Sequence, residues 1–190
     1  MQYIHPSDWN FRFRSGRLCL DFIATVGDRD HMSFDRWQND SDFGRWCVAA
    51  GLLPDAVAVT AAELEEARRL REALYRLALA ALGQSAPVAA DLDLLNRWAR
   101  KAPPVPQLAG LGEARIWQAD APYDAVLASV ARDAIDLLSG EMTKRLRKCA
   151  DDHCSVLFVD MSRPGKRRWC AMNGCGNKVK KAAYRKRLRA

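Results

Sequence analysis

Apolar residues recur every three or four positions along most of the first 140 residues or so, the spacing of one face of an α-helix. The clearest case is TAAELEEARRLREALYRLALAALG, where Leu64, Ala67, Leu70, Leu74, Leu77, Ala78 and Ala81 share a face. Thr60 and Glu63 have the spacing of a capping box at its start, and Gly83 stops it. DLDLLNRWARKA predicts a shorter helix ending before Pro103 and Pro104. PYDAVLASVARDAIDLLSG predicts another, with Pro122 in its first turn and Gly140 at its end. SDFGRWCVAAGLL reads as a short helix closed by Gly51. Two runs break the period. WNFRF and RLCLDFIATV flank Ser15-Gly16 and predict two strands joined by a tight turn, the second passing into helix after Asp21. ARIWQAD predicts a strand, and the prolines and glycines of residues 102–112 predict a loop.

Beyond residue 143 the pattern changes. SVLFVD reads as a short strand, SRPGK as a turn centred on Pro164-Gly165, and RRWCAM as the returning strand. GNKVKKAAYRKRLR then reads as a helix entered through Gly176 and Asn177. The expected fold class is α+β. A mostly helical domain with a small β-hairpin or sheet (1–142) precedes a small β-hairpin-plus-helix unit (143–190).

Charge follows the same division. Residues 144–190 hold 15 Lys/Arg and 3 Asp/Glu, giving +12, whereas residues 1–143 hold 15 and 20, giving −5; together they make the chain's +7. An acidic larger part joined to a basic tail suggests two jobs on one chain. No apolar run approaches the ~20 residues of a membrane span. MQYIHPSDWNFRFR contains no apolar core of a secretory signal, so the expected compartment is reducing and cytoplasmic.

Four of the six cysteines fall in the tail, as Cys149-x4-Cys154 and Cys170-x4-Cys175. Two close pairs, brought together by a folded-back chain, suit the tetrahedral thiolate set of a structural Zn²⁺. A unit of under ~50 residues buries too little core to fold alone, which also calls for a staple. A disulfide is the alternative, and would need an oxidising compartment. His153 beside Cys154 offers a substitute ligand. Four thiolates leave no open position, so this zinc is expected to be structural rather than catalytic.

Arg163, Lys166, Arg167 and Arg168 cluster at the turn, and Lys178, Lys181, Arg185 and Arg189 lie on the helix. Even after a formal −2 for zinc with four thiolates, about +10 remains on the tail. Such a density of charge is relieved by a polyanion, and nucleic acid is the partner it suggests. Asn177, Lys178 and Arg168 are the candidates for reading bases. A membrane surface is disfavoured, since the helix offers no broad apolar face.

At Cys175-Gly176-Asn177-Lys178 the tail resembles the CGNR zinc finger. Cys149 and Cys154, LFVDMSR at 157–163, RRWCAM at 167–172 and the basic helix agree with it. Lys178 stands where that family has Arg, keeping the charge but not the two-pronged donor. The preceding part is similar to ABATE, the domain of stress-induced transcription regulators that accompanies this finger. RLCLDFIATVGDR at 17–29, ARRLREALYRLALA at 67–80 and DLDLLNRWA at 91–99 carry the likeness. The resemblance implies a treble-clef-like finger, zinc on the four cysteines and a DNA-binding regulator.

The larger part shows no Ser/His/Asp set, phosphate loop or paired catalytic carboxylates, so it is not read as an enzyme. Asp21, inside an apolar run, is the candidate for a ligand pocket; its alternative role is an ordinary cap. Cys19, Cys47 and the tryptophans are expected in the core, and His5 and His31 on the surface. The acidic part would sense a small molecule or form a homodimer. RNA as the target, or a receptor or enzyme localised by its tail, are the competing readings.

Overall fold

The computed structural model describes residues 6–188. Six helices carry most of the fold: α1 (Leu18–Ile23), α2 (Asp40–Ala49), α3 (Ala61–Ala81), α4 (Ala89–Ala99), α5 (Pro122–Ser139) and α6 (Asn177–Arg187). Three two-stranded antiparallel ribbons complete it: β1 (Val26–Gly27) with β2 (Phe34–Asp35), β3 (Val105–Leu108) with β4 (Arg115–Gln118), and β5 (Leu146–Lys148) with β6 (Leu157–Val159).

Helix α3 begins where its cap places it. The Thr60 side chain accepts the Glu63 N–H at 3.2 Å, and the Glu63 carboxylate accepts the Thr60 N–H at 2.7 Å. Both terminal donors are thereby satisfied. Thr60→Ala should cost about 1 kcal/mol of stability in urea unfolding, with the helix otherwise intact. Leu64, Ala67, Leu70, Leu74, Leu77 and Ala78 are buried as their spacing predicts, and Ala81 is exposed. The helix packs on α1, α4 and α5 around Trp37, Trp46, Phe22 and Phe43. The Phe22 ring meets both indoles edge-on at 5.2 Å. Cys19, Cys47 and Trp98 also lie in this core. Burial pushes both thiols up, toward the inert neutral form.

Trp9 is exposed and Trp117 half-buried, both outside the core expected for the tryptophans. Three expectations of secondary structure need correction. The strands around Ser15-Gly16 are absent: residues 11–14 form an irregular loop, and LCLDFI is helix from Leu18 onward. Gly16 does take a left-handed turn (φ 84°), but it leads into a helix. A short apolar run fits strand or buried helix equally, and partners far away decided it. The carboxylate of Asp133, on α5, accepts the Cys19 N–H at 2.8 Å and holds the Arg17 guanidinium at 2.9 Å. It thus serves one of the orphan donors at the start of α1. The stretch 102–112 is not all loop, since β3 pairs there with β4. Finally, RRWCAM is not a strand. The partner of β6 is β5, which precedes the first cysteine, so the turn of that ribbon carries Cys149 and Cys154.

That ribbon fixes the tail on the rest of the molecule. Along β6 the side chains alternate: Leu157 and Val159 enter the main core with Leu146, while Phe158 faces the cysteines. The Val159 N–H donates to the Ser15 carbonyl at 2.8 Å, the Arg29 N–H to the Ser155 hydroxyl at 3.0 Å, and Lys148 pairs with Asp30 at 2.8 Å.

Candidate metal centre and nucleic-acid interface

Cys149 and Cys154 close the ends of a tight knuckle. The Cys149 N–H donates to the Val156 carbonyl at 2.9 Å, and the Cys154 N–H to the Asp151 carbonyl at 2.9 Å. Cys170 arrives on the irregular segment after the 162–165 turn. Cys175 lies in a single π-turn, Met172–Gly176, that runs into α6. An Ala150 N–H bond to the Arg168 carbonyl, 2.8 Å, ties the two halves together.

The four sulfurs all lie within 4.8 Å of one another, and none of the residues is more than 8% exposed. Cys154 and Cys175 each stand 3.7 Å from Cys170, sulfur to sulfur. A tetrahedron with Zn–S bonds of ~2.3 Å has edges of about 3.8 Å. A disulfide would need about 2.05 Å, and all four thiols are free. Phe158, Val156 and Trp169 wall the cluster from water. Without a cation such a set cannot ionise together. Hydrogen bonds from Cys154, Cys170 and Cys175 hold the Cys149 thiol far below its ordinary value, and donating to Cys149 pushes the other three up. A divalent ion removes the conflict by taking all four as thiolates, so the donor set fits structural Zn²⁺. His153 is exposed and lies outside the cluster.

The segment between the pairs is braced by Asp160, which is fully buried. It accepts the Ser162 and Arg167 N–H groups at 2.9 and 2.8 Å and the Ser162 hydroxyl at 2.6 Å. Burial works to raise this carboxyl, but those bonds outweigh it and hold it below the usual range. Arg167 turns inward: its guanidinium donates to the Trp169 carbonyl at 2.8 Å and to the Cys170 carbonyl, and lies 4.6 Å from the centre of the Phe158 ring. It props the metal loop.

Arg163, Lys166, Arg168, Asn177, Lys178, Lys181 and Arg185 are exposed. The Arg168 guanidinium stands 5.3 Å from the Trp169 ring centre, and Lys178 is 3.8 Å from Asp151. Arg189 and His5 lie outside the described residues. Helix α6 packs chiefly on the π-turn before it, leaving Lys178, Lys180, Lys181, Arg185 and Arg187 to solvent.

Asp21 caps a loop: its Oδ1 accepts the Arg14 and Ser15 N–H groups, each at 3.1 Å, and desolvation raises its carboxyl in spite of them. It is not on the wall of the open cavity of about 520 Å³ between the first part and the finger. Arg12, Arg14 and Arg36 line that cavity from one side, and Asp151, His153 and Lys178 from the other. No local pattern announced this cavity, because its walls come from segments more than a hundred residues apart.

The fold and this cluster together define a helical protein carrying a small zinc-stapled domain. The chain belongs to the ABATE family, described as a "putative stress-induced transcription regulator", whose family model matches residues 16–141. The CGNR zinc finger matches residues 145–188. Neither is an enzyme family. No curated protein matches the chain. Among the described residues no helix is long and apolar enough to cross a membrane.

Proposed function

We propose that the protein is a zinc-dependent, DNA-binding transcription regulator, with Cys149, Cys154, Cys170 and Cys175 as the metal ligands. The observation that carries this reading is α6: a basic helix, held at its root by the cysteine cluster and otherwise little packed. Arg163, Lys166 and Arg168 at the turn, with Lys181 and Arg185 on the helix, grip phosphates. Asn177 and Lys178, at the first turn of α6, reach base edges. The finger occupies residues 143–190. Residues 1–142 take the sensing role, with a small molecule held in the cavity that Lys178 also lines, or the role of a homodimer contact. The protein works in the cytoplasm.

Duplex-DNA affinity measured across a salt series tests this. For about six neutralised phosphates, log affinity should fall against log salt with a slope near −5. Lys181→Ala with Arg185→Ala should make the slope shallower by about 2 and weaken binding to all sequences alike. A flat salt response would end the proposal. Tighter binding to structured RNA at the same salt would redirect it to RNA.

A further inference from the structure

The chain has three histidines, and two of them, 122 positions apart, meet on the surface beside the cysteine knuckle. His31 follows β1, and His153 stands between Cys149 and Cys154; their rings are 5.0 Å apart, centre to centre, inclined at 47°. Asp28 completes the group, and one ligand atom from each of the three residues lies within 4.8 Å of the other two.

The local geometry prepares Asp28 as a donor. It adopts a left-handed backbone (φ 43°), a conformation Asp tolerates better than most residues. The turn it starts is closed by the His31 N–H on the Asp28 carbonyl at 3.2 Å. The Met32 N–H donates to Oδ2 at 3.3 Å, which fixes one carboxylate oxygen. The other, Oδ1, is shielded from solvent and has no hydrogen-bond partner among the described residues. His31 Nδ1 stands 3.3 Å from it, outside hydrogen-bond geometry. A buried carboxylate oxygen without a donor is costly, and an imidazole nitrogen stands beside it. A cation between the two satisfies both. His153 supplies the third donor from a knuckle whose backbone the cysteine cluster already holds.

We propose that Asp28, His31 and His153 form a second divalent-metal site, separate from the four cysteines. Two imidazoles and one carboxylate suit a borderline ion such as Zn²⁺, Co²⁺ or Ni²⁺, and three protein ligands leave coordination positions for water or a further ligand. Asp28 and His153 both line the cavity between the two parts. The ion would clip the loop after β1 to the finger, making occupancy of this site a means by which metal or a metal-bound anion alters how the finger is held. The site does not depend on the DNA-binding reading.

The test is Co²⁺ titration of the full, metal-free chain, followed by optical absorption and metal analysis. The first equivalent should bring the near-ultraviolet sulfur-to-cobalt charge-transfer band. A second should add weak visible ligand-field absorption without more of that band. His31→Ala and Asp28→Asn should each retain the first equivalent with full charge transfer and weaken the second at least tenfold. His31 and Asp28 are remote in sequence from the cysteines, so an intact charge-transfer band shows that the finger is still folded. Binding of only one equivalent by the wild-type chain at millimolar Co²⁺, or a second equivalent indifferent to both substitutions, would overturn the proposal.

Discussion

Cys170→Ser is expected to release the zinc and cut DNA affinity by about tenfold to a hundredfold, the loss of roughly one to two contacts worth of positioned charge or more. Cys170 is the most enclosed of the four, at 0% exposed; its sulfur neighbours those of Cys154 and Cys175, and its N–H donates to the Cys149 sulfur at 3.4 Å. Serine is a harder and far less acidic donor, so the fourth thiolate is lost rather than replaced. Structural zinc contributes on the order of 10–16 kcal/mol to small metal-dependent units. The finger's own apolar cluster is Phe158, Val156 and Trp169 around the sulfurs. Metal analysis should show the missing ion, and far-ultraviolet circular dichroism should show most helix retained, because α1 to α5 share a core to which the finger adds only Leu146, Leu157 and Val159. The residual affinity is that of an unanchored basic tail. Full affinity in the zinc-free chain would divorce the finger from the function. Acid should act in the same direction. In the metal-free cluster Cys154, Cys170 and Cys175 hold their protons tightly, so zinc uptake must displace them. Zinc loss to a chelator should therefore rise as pH is lowered.

Arg71→Leu should destabilise the fold by about 3–5 kcal/mol, measured by urea unfolding at neutral pH. Arg71 is 3% exposed on the inner face of α3, among leucines. Its two terminal nitrogens bond the Asp35 carboxylate at 2.8 and 2.6 Å; one also donates to the Thr25 hydroxyl at 3.1 Å, and Nε reaches Glu72 at 3.0 Å. The guanidinium lies 4.8 Å from the Trp37 ring centre. Leucine restores the apolar volume but takes from Asp35 its two-pronged partner, leaving it Arg68 at 3.4 Å and the Trp37 N–H at 3.0 Å. Arg71→Lys keeps the charge and loses the fork, and should fall between. Removing Asp35 as well should recover part of the loss, since a buried pair replaced on both sides is close to neutral. A loss within about 0.5 kcal/mol, ordinary for a surface site, would refute this account.

The neighbouring Glu72 adds a pH term. Burial works to raise its carboxyl, but Arg29, bound at 2.5 and 3.1 Å, and Arg71 outweigh that and hold it below the unfolded value. Its stabilisation is then complete above the unfolded pKa of about 4.3 and is lost as pH falls through the lower folded value. Glu72→Gln should flatten that part of the acid unfolding curve.

The sequence by itself determined what depends on neighbours along the chain. The capping box at Thr60 and Glu63, the buried stripe of α3, the proline entry of α5, the paired cysteine spacing and the density of charge on α6 are all properties of a few adjacent turns. Each could be read because helical period, cap chemistry and ligand spacing act over less than about twenty residues. Only the tertiary structure decided the rest. Asp133 made LCLDFI a helix, and β5, not RRWCAM, became the partner of β6. Arg71 entered a leucine face because Asp35 awaited it there, and Arg167 left the basic surface to hold two carbonyls. His31 met His153 across most of the chain. In each case the favourable partner is remote in sequence, and a buried polar group takes its position from the partner that satisfies it, which no local pattern records.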